Sequence, residues 1–575
     1  MYSIYRVDIP TRKSGISRKK IKGIVYIYYE YGRVYKADKK YNVPQCTSIG
    51  KTCEDDPDKM YPNQNFYKYF PEAELPEMAP AVEVRSGCLR IGTFLVIRKI
   101  IAGYHLDEIL EDLVGREHGL FLDLAAYSII CENNAGQYYP DYAYNHPLLT
   151  ACMHIYSDSK VSDFLNGITR DHSIAFQNIW NSSRDHREKI YISYDSTNKN
   201  CQAGELELVE VGRAKCDQGK PIINYAIAYD HNNSEPLFYE DYPGSIVDVS
   251  QLQFMLEKMT GYGYRHVGFI LDRGYFSKEN IHYMDRHGYE FVIMVKGLKS
   301  FVRDLVLEKK GTFEEDRACS IREYKVSGTT VKRQLYLSDE KERYFHIYYN
   351  SRKYFAEREA VESRFDRMAE TLKKYEGKQV EIPTSFERYF DLIYYHKGRA
   401  DEKFMYAREL SDRISEEISL SGYFVIVTSE KMSAQEALEL YKSRDASEKL
   451  FRGDKAYLGN RSFRVQSDES LRAKIFIEFV ALIIRNKMYT CLKNLRDENG
   501  KKQNYMTVPA AIRELEKIEM LRQQDGSYRL DHALTKTQKQ LLKAFDMTAE
   551  NVREQAAGIS TELAKMEEGN KDDGR

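Results

Sequence analysis

The chain has 575 residues, with 86 Lys and Arg against 87 Asp and Glu, so its formal net charge is −1. That length allows two to four domains and at least one large core, and the charge balance excludes a molecule that is a polycation over its whole surface. Nine cysteines are scattered with none in a CxxC pair, which argues against a zinc site or a disulfide framework and for reduced thiols in a cytosol.

Charge is unevenly spread along the chain. Between Met1 and Lys51 basic residues far outnumber acidic ones, an excess large enough to matter for phosphate contact, although a solvated basic face explains it equally well. The N-terminus has no apolar signal-peptide core. Residues 22–50 alternate apolar and polar and predict a small β-meander; with the Pro-rich stretch that follows, residues 1–87 read as a basic β-meander region. Residues 88–186 turn to helical spacing and form a helical N-terminal region.

Residues 187–299 carry the clearest order of elements. KIYISYD (189–195), GELELVEVGR (204–213) and INYAIAYD (223–230) predict three strands. A helix over 248–259 follows, then a fourth strand at 266–272, a helix over 277–288 with Ser277 as N-cap, and a fifth strand at 289–296. Three strands, helix, strand, helix, strand is the order of a ribonuclease H-like core, an α/β fold. Residues 300–420 interrupt it with strand-like runs and one charged helix (356–378), and predict a mostly β insertion domain. The core resumes over 421–500. SGYFVIVTSE (421–430) has a buried-strand pattern. The helix from 433 opens on a capping box of Ser433 and Glu436, with Gly453 a natural stop. The apolar run IFIEFVALII (475–484), bounded by Lys474 and Arg485, is too short to span a bilayer and predicts a buried helix. Residues 501–547 predict a C-terminal helical region. The polar tail 548–575 is expected to be disordered.

Phosphodiester cleavage with two metal ions needs carboxylates that converge on hard cations. Asp195 closes the first predicted strand and Asp272 the fourth. In a ribonuclease H-like core those strands are neighbours, so the two acids would face each other. A lone Asp at a strand end is more often a turn or cap residue. In the helix after the insertion, Tyr441, Arg444, Glu448 and Lys455 fall within an arc of about 60°. One face would then present a carboxylate between cationic and phenolic groups, which suits a metal ligand flanked by phosphate binders. The plainer reading is a surface helix with i,i+4 support between Arg444 and Glu448. Lys296, closing the fifth strand, is a weaker phosphate candidate.

Tyr441, two residues, Arg444, three residues, Glu448, six residues, Lys455 is the YREK signature. The chain therefore resembles the DDE transposases of bacterial insertion sequences, in the YREK group with a β-rich insertion in a ribonuclease H-like core. GRAKCDQGKPIINYAIAYD and YPGSIVD also look like the segments between the first two acids in that group. The resemblance runs from about residue 20 to 545 and is specific around Asp195, Asp272 and 441–455. It implies that Asp195, Asp272 and Glu448 are catalytic and hold Mg²⁺, with Mn²⁺ able to substitute, and that Tyr441, Arg444 and Lys455 bind DNA. It further implies double-stranded partners (inverted-repeat ends and target DNA), a homodimer on paired ends, no membrane partner, and a bacterial cytoplasmic protein associated with the nucleoid when bound. The alternatives are a ribonuclease H-like nuclease without strand transfer and a catalytically dead, DNA-binding relic.

Overall fold

Alternating apolar residues that start at Ile16 build the first unit of the chain, residues 1–84 with 568–575. The computed structural model describes every residue except 1–5, 12–14, 22–23, 38, 54–55, 72, 74–84, 185–188, 202–205, 213–218, 247, 297–298, 340, 400, 446–448, 451–457, 459–461, 500–505, 524–525 and 573–575. In this unit β1 (Val7–Asp8), β2 (Ile16–Ile21), β3 (Ile24–Lys36), β4 (Tyr41–Thr52) and β5 (Lys59–Pro62) form a five-stranded antiparallel sheet in the order β1-β5-β4-β3-β2. The helix α1 (Gln64–Tyr69) is capped by the Asn63 side chain and covers one face, where Ile27, Ile49, Met60, Phe66 and Phe70 make a small core. Part of the stretch after the meander that the sequence marked only as Pro-rich therefore supplies β5 and α1.

The second unit, residues 85–567, is organised on one large mixed sheet. Its strands are β6 (Ile190–Cys201), β7 (Pro221–Asp230), β8 (Glu235–Pro243), β9 (Val267–Leu271), β10 (Glu290–Met294), β11 (Val326–Gln334), β12 (Glu342–Tyr349) and, after an excursion, a strand at Tyr423–Thr428. The order across the sheet is β8-β7-β6-β9-β10, then Tyr423–Thr428, β12 and β11. β6, β9 and β10 run parallel, and β7 and β8 are antiparallel. Parallel neighbours need crossover connections, and helices α2 (Asp248–Gly261) and α3 (Lys278–Arg286) supply them. Leu252, Met255, Ile281 and Met284 pack on the face formed by Ile192, Tyr194, Ala226, Phe269 and Phe291.

Three expectations about this unit change. The second core strand is 221–230 and the third is β8; the run 204–213 contributes only a short strand at Glu210–Val211. β8 is an edge strand, where Pro236 is tolerated. Its outer groups are taken up by side chains of the helix Arg170–Ser182: Trp180 Nε1 donates to Pro236 O at 2.9 Å, Asn181 Nδ2 to Leu237 O at 2.9 Å, and Tyr239 N to Gln177 Oε1 at 3.2 Å. The segment 300–420 is not wholly separate from the core. β11 and β12 extend the central sheet beyond Tyr423–Thr428, because Phe345 and Ile347 are apolar enough to be buried there. Residues 351–419 do make their own core. In it the 25-residue helix α4 (Ser351–Tyr375) packs on the hairpin β13 (Phe390–Tyr395) and β14 (Lys403–Glu409) through Phe365, Leu372, Phe390 and Phe404. We number the strand Tyr423–Thr428 as β15.

The opposite sheet face is covered by helix α5 (Ala434–Ser443) and the long helix α6 (Asp468–Asn499). Residues 475–484 lie in α6 and are buried, as their apolar run requires. Among the described residues no helix is long and apolar enough to cross a membrane. Helices between Gly92 and Ser182 and between Val508 and Lys543 share one core with α6, so the N- and C-terminal helical regions form a single layer. The tail expected to be disordered is instead helical, as α7 (Ala549–Asp572). Val552, Ala556, Ile559 and Leu563, at spacings of three and four, bury one stripe of it.

Candidate active site

Strand register brings two acids together. β6 and β9 pair in parallel, and Leu271 stands opposite Tyr194. The next residues, Asp272 and Asp195, are therefore level. Asp272 leaves β9 as the N-cap of a short 3-10 turn, Arg273–Tyr275. Asp195 does not end its strand: β6 continues to Cys201, held by β7 on its other side, where Ile227 faces Asp195. Asp195 is the first residue of β6 beyond the end of its parallel neighbour. That exposes one flank of it while the backbone stays fixed. Its Oδ1 accepts from Ser196 N at 2.9 Å.

Helix α5 closes the arrangement. Its capping box is formed, with Glu436 N donating to Ser433 Oγ at 3.1 Å and Ser433 N to Glu436 Oε2 at 2.7 Å. Leu438 and Tyr441 anchor the helix in a cluster with Ile270, Val292 and Ile426. The helix ends at Ser443, and Arg444 is its C-cap. From there the guanidinium spans both acids: Nη1 is 3.8 Å from Asp195 Oδ2 and Nη2 is 3.7 Å from Asp272 Oδ1. Tyr441 Oη donates to Asp272 Oδ1 at 3.4 Å. Burial pushes the Tyr441 hydroxyl up to about 12, with Arg444 opposing the shift and Asp272 adding to it. It remains a protonated donor at neutral pH.

Asp195, Asp272, Tyr441 and Arg444 thus meet, with Arg444 at the helix cap and not on a helix face running on to 455. Glu448 and Lys455 lie outside the described residues, and so does Gly453. Lys296 is exposed just beyond β10. Among the described residues no three His, Cys, Asp or Glu side chains gather to hold a metal ion. Asp195 and Asp272 offer oxygen donors of the kind hard divalent cations take, and a third carboxylate is needed to complete a set of three.

One element next to the site has no counterpart in the sequence reading. Lys199, on the same face of β6 as Asp195, forms a fully buried ion pair with Glu478 of α6, and its Nζ lies 4.3 Å from the ring centroid of Tyr225. A Glu inside the apolar run 475–484 was the available signal. Gly212 and Gly244, from two of the segments singled out in the sequence, also meet. A Cβ on Gly212 would come within 1.9 Å of Gly244 O, and one on Gly244 within 2.3 Å of Ile222 O, so both positions require glycine for close backbone approach.

Comparison with known proteins gives a family. The family model described as transposase DDE domain matches residues 196–484, half of the chain. The match begins one residue after Asp195 and includes Asp272 and Glu448. No curated protein matches. Among solved structures, the chain is similar to piggyBac transposase in a synaptic complex with hairpin DNA, with 7% identity, a TM-score of 0.31, and 63% of this chain and 59% of that one covered. It is also similar to Mos1 transposase in a paired-end complex with the left transposon end, with 13% identity, a TM-score of 0.14, and 30% of this chain and 57% of that one covered. The chain spans less than two thirds of the length of either.

Proposed function

The chain belongs to the transposase DDE domain family, and from that premise we propose that it binds insertion-sequence ends, hydrolyses a phosphodiester bond there and transfers the resulting 3′-hydroxyl to target DNA. The observation that carries this reading is the pair Asp195 and Asp272, level on adjacent parallel strands and spanned by Arg444. The sheet order β8-β7-β6-β9-β10 is consistent with the ribonuclease H-like core proposed for residues 187–299 and 421–500.

In this reading Asp195, Asp272 and Glu448 hold Mg²⁺ or Mn²⁺; Glu448 enters on the YREK spacing alone. Bound there, two cations supply an activated water and offset charge on the scissile phosphate. Arg444 lies within 4 Å of both acids, and its fork of donors suits a phosphate equally well. It would contact the DNA backbone beside the two acids. Tyr441 holds Asp272 in place by its hydroxyl, and Lys455 adds a phosphate contact. Assembly as a homodimer on paired ends, and a cytoplasmic location at the nucleoid, belong to the same proposal.

The test uses a supercoiled plasmid carrying the sequences that flank the gene. The wild type should nick and join these ends in Mg²⁺ or Mn²⁺ and be inert in chelator. Asp195→Asn, Asp272→Asn and Glu448→Gln should each abolish cleavage and keep DNA binding. Cleavage without joined products would reduce the activity to that of a nuclease, and cleavage retained in Glu448→Gln would remove Glu448 from the site.

A further inference from the structure

Residues 351–419 leave and rejoin the central sheet at one place. Tyr349, the last residue of β12, stands opposite Tyr423, the first of β15, and just beyond that pair Asn350 N donates to Gly422 O at 3.0 Å. Two crossings side by side have the form of a hinge, where a few residues at element ends can absorb a change of backbone angle. Gly422 has φ +84°, in the left-handed region that favours glycine. Past the crossings the excursion is a body of its own. Its core of Phe365, Leu372, Phe390 and Phe404 shares no residue with the cores on the two faces of the sheet. Its last helix, Ser411–Ser419, is tied to α4 and to the segment before β13 through Glu417, which accepts from Arg364 Nη2 at 2.8 Å and from Tyr389 Oη.

A cleft of about 960 Å³ separates this body from the helix Lys299–Lys309 that follows β10. Val302 and Val306 line one wall, Ala360 and Val361 of α4 the other, and Leu420 and Ser421 belong to the return crossing. Among the described residues the pairs that reach across are polar. Arg303 Nη1 is 3.3 Å from Glu416 Oε1, and Lys310 Nζ donates to Ser419 O at 2.9 Å. Arg303 and Glu416 are close to half exposed, at 45% and 41%, so salt screens their attraction. Arg303 also pairs with Asp304 of its own helix at 3.2 Å. Its charge is therefore met whether or not Glu416 stays in place.

Separate cores joined by polar contacts leave relative motion as the default. We propose that residues 351–419 swing as one body about Asn350 and Gly422, and that the Arg303–Glu416 pair is a salt-sensitive latch that holds the body in the position seen here. The place of the hinge gives the swing a consequence. Asp272 follows Leu271, which is paired with Ile293, so Asp272 is level with Met294 of β10; Met294 stands opposite Ile426 of β15. Tyr423 lies three residues further in the same direction, about 10 Å at a strand rise of ~3.3 Å. The hinge thus sits just past the acids at their own end of the sheet, and the swing changes the room beside them. That consequence rests on the DNA-directed reading above, whereas the swing itself is measured without DNA.

The test places p-acetylphenylalanine at Leu337 and Lys397 of the full-length protein, both exposed, one beside the sheet and one on the turn between β13 and β14. Spin labels on the two ketones report their separation by pulsed electron resonance at low and high salt. The otherwise wild-type protein should show a second, separate distance whose population grows as salt rises. Glu416→Gln and Arg303→Gln should each raise that population at low salt to about its high-salt level. A single narrow distance, the same at both salts and in both variants, overturns the swing. Two distances whose proportions ignore salt and both variants overturn the latch. The salt series on the protein without either substitution decides the matter if a variant fails to fold, and every one of these results leaves the transposase reading to its own cleavage test.

Discussion

The buried pair Lys199–Glu478 offers a quantitative check on how the sheet and α6 are held beside the acids. Both side chains are almost fully enclosed, at 0% and 1% exposure, and Tyr225 and Phe463 pack around the ammonium. Two charges at about 4 Å attract by about 4 kcal/mol at an effective dielectric of 20, and the cost of removing each from water is of similar size, so the pair adds little net stability. Breaking it is different. Glu478→Gln leaves the Lys199 charge enclosed without its counterion, at a cost of about 3–5 kcal/mol. At ~1 °C per kcal/mol for a unit that spans residues 85–567, Tm should fall by about 3–5 °C. The double variant Lys199→Met, Glu478→Leu removes both charges and should recover most of the loss or exceed the wild type. Calorimetric or fluorescence melting of wild type, both single variants and the double variant closes the cycle. A Glu478→Gln variant within about 1 kcal/mol of wild type, or a double variant worse than either single one, would refute the reasoning.

Mg²⁺ or Mn²⁺ should raise Tm, by about 2.7 kcal/mol in stability at a hundredfold excess over Kd, and Asp195→Asn should lose that rise; an equal rise in the variant would place the cations elsewhere. Tyr441→Phe removes a single hydrogen bond to Asp272 and should slow cleavage on the order of tenfold with DNA affinity unchanged, read from single-turnover cleavage beside a binding titration. Burial lowers the pKa of His346 to about 4, and its ring nitrogens pair with Thr330 at 2.9 Å and Thr428 at 3.0 Å. Its folded value lies below the unfolded one of about 6.5, so the unfolded chain takes up the proton first and stability falls as pH drops from about 6.5 to about 4. The loss amounts to about 3 kcal/mol; denaturant titrations across that range should be flatter for His346→Gln.

Much of the site could be read in the residues. Asp272 follows an apolar run and is level with its partner, and the capping box at Ser433 fixed the start of the helix that delivers Arg444. The extension of β6 past Asp195 was hidden, because its residues 196–200 are polar and its partners, β7 and the two-residue strand Ser462–Phe463, are distant in sequence. β8 was hidden because EPLFYEDYP, with two prolines and three acids, reads as a loop, and it is a strand only as a covered edge. β11 and β12 read as part of a separate domain because sheet membership depends on pairing with β15, across the whole 351–419 excursion. The α7 stripe uses Val, Ala, Ile and Leu among many charges, which dilutes its apolar signal. Arg444 was read as a DNA contact; its bridge between the acids depends on strand register, which no local pattern states.

The helical layer has a further consequence, one of timing. Helices between Gly92 and Ser182 are made early, yet the apolar surface that covers them, α6, is roughly 290 residues downstream. At synthesis rates of ~5–20 residues per second, those helices emerge from the ribosome on the order of 15–60 s before their partner. Through that interval Phe121 and Phe176 have no Phe476 to pack against. A nascent chain that stalls before residue 468 would hold both aspartates and Arg444 and still lack about two fifths of its main core, so the unfinished protein, more than the finished one, is what proteases and chaperones would sort.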